Sequence, residues 1–153
     1  MFNIGNIYNS NKVPELTKIA STEDPLNVYL IVNKDLGMSI GKIGAQCGHA
    51  IQYLIRNYYN DLRGIGAPVP EIHKFNGNLH NRMVGWEYHS RIGKIVLGAD
   101  TKEFNKLKEE YDPIVVVDAG LTEITPNSET VICLYPMFKD ERSKTLKRLQ
   151  LLK

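Results

Sequence analysis

An unbroken apolar run, Val28-Tyr29-Leu30-Ile31-Val32, ends at the polar turn Asn33-Lys34-Asp35 and leads into a helical pattern rich in small residues. A short continuous run of this kind, bounded by turn residues, reads as a strand buried on both faces, and such a strand needs covering layers on each side. In the pattern that follows, Lys42, Gln46, His49 and Tyr53 recur at helical spacing on one face, with Ile43, Ala50, Ile51 and Leu54 opposite. Gly41, Gly44, Ala45 and Gly48 remove side-chain bulk, which would permit close approach to a sheet or another backbone. With Ser39 as N-cap, Lys42 falls in the first turn, where the helix dipole disfavours a cation. Lys42 is then either a solvated surface lysine or part of a site for a phosphate or oxyanion.

A chain of 153 residues, 42% of them hydrophobic, suits one domain with a real core. The net charge of +2 gives no global polycation, so any nucleic-acid binding rests on a local patch. Cys47 and Cys133 lie inside apolar runs and read as reduced, packed thiols of a cytoplasmic protein. The start, Met1 to Asn6, lacks the basic-then-apolar form of a secretory signal, and no apolar run is long enough to span a membrane.

Residues 1–26 read as an N-terminal extension, with a short helix over Val13–Ile19, and residues 27–153 as the domain. The strand covers Asn27–Asn33 and the helix Ser39–Tyr59. Periodicity then fails from Asn60 to Met83, a loop insertion marked by Gly64, Gly66, Pro68, Pro70 and Gly77. His73, His80 and His89 lack metal-ligand spacing and cysteine companions, so neither a metal nor a cofactor is expected. Lys94–Leu97 forms a second strand. Asp100-Thr101-Lys102-Glu103 is a capping box for a helix presenting Phe104 and Leu107 inward. Ile114–Val117 and Thr130–Leu134 are further strands, and a last helix begins near Lys139. Residues Lys139–Lys153 hold six Lys/Arg against two acids, a local +4 that is either a solvated helix face or a phosphate-facing strip. The expected architecture is a three-layer α/β/α fold around a four-stranded mixed sheet with one antiparallel pair.

Two groups of polar residues meet in such a topology if their strands end on the same edge. Asp35, Lys42, Gln46 and His49 follow the first strand, while Asp118 and Thr122 follow the third. Asp118, directly after four β-branched residues, either caps a local Asx turn or pairs with a cation such as Lys42. A cation, a carboxylate and hydroxyl and amide donors suit metal-free hydrolysis. No nucleophile elbow, P-loop or dinucleotide glycine pattern is present.

The run Asp35-Leu36-Gly37-Met38-Ser39-Ile40-Gly41-Lys42-Ile43-Gly44-Ala45-Gln46-Cys47-Gly48-His49-Ala50 resembles the signature of type-2 peptidyl-tRNA hydrolases. Trp86-Glu87-Tyr88 before Lys94-Ile95-Val96 is similar to that family's run into its second strand. Asp118-Ala119-Gly120-Leu121-Thr122-Glu123-Ile124, with Pro126, Thr130 and Val131, is similar to its second signature. The resemblance implies a metal-independent hydrolase, usually a homodimer, that cleaves the ester between a peptide and the 3′ end of tRNA. It also implies Lys42, Asp118 and Thr122 as catalytic or substrate-contacting residues, with Gln46, His49 and Thr130 in support. His49 would bind RNA or shape the pocket, or else be a packed histidine. Leu121 stands where the family usually has arginine, Asn33 where arginine is frequent, and Glu123 where an amide is common. These departures leave a second reading, a non-catalytic RNA- or protein-binding homologue on the same scaffold.

Overall fold

A computed structural model describes residues 19–66, 69 and 79–153. The proposed helix over Val13–Ile19 lies outside the described residues apart from Ile19, as do residues 67, 68 and 70–78 of the expected insertion. Strand β1 (Val28–Asn33) is buried at all six positions, as its continuous apolar character requires. Helix α1 (Ile40–Arg63) follows, capped by Ser39, whose hydroxyl accepts the Lys42 N–H, and closed by Gly64 in the left-handed region. Then come α2 (Leu79–His89), β2 (Lys94–Ala99), α3 (Thr101–Tyr111), β3 (Ile114–Val117), β4 (Glu129–Cys133), α4 (Lys144–Arg148) and β5 (Gln150–Leu151).

The sheet runs β3-β4-β1-β2-β5. β1 pairs in parallel with β2, while β1 with β4, β3 with β4, and β2 with β5 are antiparallel. It therefore has five strands and three antiparallel pairings, not four strands and one. The extra strand comes from the end of the expected last helix. After a 3-10 turn at Lys139–Glu141 only Lys144–Arg148 is α-helical there, and the chain then turns to the β2 edge, where the Leu152 N–H donates to the Val96 carbonyl. A two-residue edge strand is too short to show a period of two.

Apolar residues on alternate sides of the sheet build two cores. On one face Val28, Leu30, Val32, Val116, Val131 and Cys133 pack beneath α1 and α2, joined by Ala20 and Leu26 from the described end of the extension. On the other, Tyr29, Ile31, Leu97, Ala99, Ile132 and Leu134 meet Phe104 and Leu107 of α3 and Leu146 of α4. The three layers are as expected. α2 was not: it occupies the end of the supposed insertion and buries Leu79, Arg82, Met83, Gly85 and Trp86. Gly85 is needed because a Cβ there would sit 2.9 Å from Leu26 Cδ1 and 3.1 Å from Ala20 Cβ.

The small-residue face of α1 does not pack on the sheet. Positions a Cβ would take at Gly41, Gly44 and Gly48 meet no described atom within 4 Å. The inward line is the oblique i+4 ridge Gln46, Ala50, Leu54 and Tyr58, all buried. That ridge begins at Lys42, and so it carries polar groups onto the sheet edge.

Candidate active site

Because β4 runs antiparallel to both β1 and β3, the carboxyl ends of β1, β2 and β3 share one edge. Lys42 and Asp118 meet there. Lys42 Nζ donates to Asp118 Oδ1 at 2.6 Å and to Thr122 Oγ1 at 3.1 Å, with both charged side chains about nine-tenths buried. Gln46 Nε2 donates to the same Asp118 oxygen at 3.1 Å. Behind it the Thr130 hydroxyl, fully buried, donates to Gln46 Oε1 at 2.8 Å, with the Val116 carbonyl a more distant acceptor at 3.2 Å. Thr130 thus fixes which end of the amide faces the carboxylate.

Asp118 Oδ2 accepts the Gly120 N–H at 2.7 Å, so the Asx turn and the ion pair coexist rather than compete. Gly120 has φ +74°, and a Cβ there would lie 2.4 Å from Pro126 backbone atoms. Only glycine permits that bend. The Lys42 ammonium first, then the Gly120 and Gln46 N–H groups, hold the Asp118 carboxyl below the usual carboxylate range despite its burial.

Glu123, which the sequence marks only as a departure from an amide, joins the cluster by a contact the sequence does not suggest. Its carboxylate takes the Ser39 N–H at 2.9 Å and the Ser39 hydroxyl at 2.5 Å, clamping the α1 N-terminus to the loop after β3. These Ser39 bonds lower its pKa, with Lys42 adding a smaller pull. A carboxylate at a helix N-terminus is favoured by the dipole that disfavours Lys42. Nothing local announces a contact across 84 positions of sequence.

The other expected residues go elsewhere. Asp35 binds the first residue of α3, whose cap is Asp100, its Oδ2 taking the Thr101 N–H at 2.8 Å and the Thr101 hydroxyl at 2.7 Å, which lowers its pKa. His49 is exposed on α1, stacked on Tyr53 with ring centres 6.3 Å apart, and does not join the Lys42–Asp118 cluster. Arg56 lies over the other partner of that stack, 4.7 Å from the Tyr53 ring centre. His80 bonds the Tyr58 hydroxyl, and His73 lies outside the described residues. Among the described residues no three His, Cys, Asp or Glu side chains gather as a metal site would need. Cys47 and Cys133 are free thiols whose pKa values burial raises. Asn33 is buried and caps the following 3-10 turn, while Leu121 is exposed beside Thr122.

The family profile described as Peptidyl-tRNA hydrolase PTH2 matches residues 26–152. "Probable peptidyl-tRNA hydrolase 2" of Caenorhabditis elegans is 30% identical over 113 residues, covering 71% of this chain and 31% of that protein. The protein of the same name from Schizosaccharomyces pombe is 30% identical over 127 residues, 79% of this chain and 53% of that one. The chain therefore spans about a third to a half of the length of these curated relatives.

Proposed function

The chain belongs to the Peptidyl-tRNA hydrolase PTH2 family, and from that premise we propose that it hydrolyses the ester joining a peptide to the 3′ end of tRNA, without a metal. The observation that carries the proposal is the junction of the Lys42 ammonium with the Asp118 carboxylate and the Thr122 hydroxyl at the sheet edge. Water attacks the ester carbonyl, the acyl C–O bond to the ribose breaks, and the products are a free peptide carboxylate and the tRNA 3′-hydroxyl. Asp118, held in its ionised form, is a weak base, so its work is to orient the water and anchor Lys42 rather than to remove a proton outright. Thr122 accepts from Lys42, which leaves its own hydroxyl proton to donate to the water or the developing oxyanion. Lys42 stabilises that oxyanion. Gln46 and Thr130 are positioning residues that set the carboxylate.

The reading extends to tRNA binding, a homodimer and a cytoplasmic setting, each supported by the resemblance of the motifs. No described helix is long and apolar enough to cross a membrane. The test is release of tRNA from purified peptidyl-tRNA in the presence of a chelator, comparing the wild-type chain with Lys42→Ala and Asp118→Asn. Turnover lost by at least a hundredfold in each variant is expected. A wild-type protein that binds tRNA but releases none of it would leave a binding homologue instead.

A further inference from the structure

On the same sheet edge, across the first turn of α1 from Asp118, a half-open cleft of about 620 Å³ is lined by Lys34, Gly98, Glu103, Arg148, Gln150 and Lys153, among others. A second hollow of about 250 Å³ shares Lys34 and Lys153 with it and reaches Gly37, Met38 and Ile43, the last two flanking Ser39 and Lys42 in the chain. The shared residues make the two hollows neighbours, a trough lined at its far side by residues next to the active-site turn. Gly98 leaves room for the Lys34 stem: a Cβ there would lie 2.6 Å from Lys34 Cδ and 3.2 Å from Leu152 Cδ1. Gly98 lets the Lys34 stem lie across β2 while its ammonium remains exposed.

In the cleft lining three cations face one acid. Lys34, Arg148 and Lys153 are exposed, and among the described residues none of them forms an ion pair. Glu103, the acid in the lining, accepts the Asp100 N–H at 2.9 Å within the α3 capping box and keeps its charge, so cations exceed acids there by two. Asp35, held ionised by its Thr101 bonds, is near enough to Lys34 to offset part of that lysine's charge. The six cations of residues 139–153 therefore divide, with Arg148 and Lys153 in the trough. Two of the three cations, Lys34 and Lys153, line both hollows and Arg148 lines the larger, an arrangement that suits a ligand carrying several negative charges in series, such as a linear polyanion.

We propose that this trough binds the phosphodiester backbone of the single-stranded 3′ end of the tRNA, with Lys34, Arg148 and Lys153 as its phosphate contacts. The proposal rests on the hydrolase reading and assigns the RNA half of that substrate to a surface apart from the Lys42–Asp118 pair. The ester then sits at the active-site end, and the strand leaves along the trough toward β5.

The test uses the full chain carrying Lys34→Gln, Arg148→Gln and Lys153→Gln together, with thermal unfolding to confirm its fold. Binding is measured to an RNA hairpin bearing a single-stranded 3′ overhang and to the same hairpin made blunt, at 50 and 200 mM salt, and turnover on peptidyl-tRNA is measured alongside. Three lost single-strand phosphate contacts should lower the slope of log K against log salt by about 2, so that wild type and variant converge by on the order of fifteenfold over that fourfold change. KM should rise about tenfold or more at low salt, with kcat within twofold. The loss should be confined to the overhang RNA. Unchanged affinity and slope, or an equal loss with the blunt hairpin, would overturn the proposal. Failure of the hydrolase reading looks different: a wild-type chain without turnover whose overhang binding still needs the three cations.

Discussion

Thr130→Val is the sharpest probe of how the site is held. The substitution keeps the shape of a fully buried side chain on β4 and removes only the hydroxyl that donates to Gln46 Oε1 at 2.8 Å. Gln46 is itself 3% exposed, so its carbonyl is left buried without that donor. A buried acceptor stripped of its partner costs about 1–3 kcal/mol. For a domain of this size each kcal/mol lowers Tm by about 2–4 °C, so a fall of about 2–12 °C is expected. The amide also loses what determines its orientation, and turning it over would set an oxygen against the Asp118 carboxylate. We therefore expect kcat/KM on peptidyl-tRNA to fall on the order of tenfold, about 1.4 kcal/mol of transition-state stabilisation. The acid side of the pH profile should also move. Lys42 does most to keep the Asp118 pKa low, and Gln46 adds to it. Weakening Gln46 raises that pKa, so activity should fail at a higher pH as the medium is acidified. Thr130→Ser, which restores the hydroxyl, should recover both activity and profile. A Thr130→Val protein that is less stable but keeps its activity and acid limb would refute the role of Gln46 as a support for Asp118.

Gly120→Ala meets both a positive φ and Pro126 backbone atoms at 2.4 Å, so the loop carrying Asp118 and Thr122 must shift; turnover should fall at least tenfold, with far-ultraviolet circular dichroism unchanged. Arg82→Met breaks the pairing of the buried Arg82 guanidinium with Glu141, at 2.8 and 2.5 Å, and its bond to the Pro136 carbonyl; urea unfolding should show a loss of about 3 kcal/mol with kcat unaltered. Asp35, Asp118 and Glu123 all have folded pKa values below their ordinary ones. The stability they add is complete above the ordinary carboxylate range and is lost as pH falls through the depressed values, so the urea midpoint should drop below about pH 4.

What could be read from the sequence was what local chemistry determines. β1 and β3 announce themselves as runs with almost no polar residue, and the Asp100–Glu103 box starts α3 as expected. The Lys42–Asp118 pairing was legible because each charge is out of place by itself: a cation in a helix first turn, and a carboxylate directly after a β-branched strand. α2 was hidden because Leu79, Met83 and Trp86 are interleaved with Asn81, Arg82 and Gly85, a glycine that reads as a breaker but serves a close contact with Leu26. The helical phase of α1 misled in a different way. Lys42, Gln46, His49 and Tyr53 share a face on a helical wheel, yet the sheet takes the oblique ridge, so Gln46 is drawn in while His49 stays in solvent.

The charge count at the active-site end bears on which part of the substrate belongs there. Lys42 alone at a helix N-terminus would invite a phosphate. It is not alone: Asp118 holds its ammonium at 2.6 Å, and the Glu123 carboxylate sits across the same turn on Ser39. One cation and two carboxylates leave a local excess of one negative charge, which repels a phosphodiester and tolerates a neutral ester. As negative charge develops on the ester carbonyl, Lys42 can turn part of its interaction from Asp118 to that oxygen, a change that favours the transition state over the bound ground state. Three cations that form no ion pair among the described residues, Lys34, Arg148 and Lys153, line the neighbouring trough. Under the proposed function, this separation of charge environments is what a substrate neutral at its reacting bond and polyanionic beyond it would require.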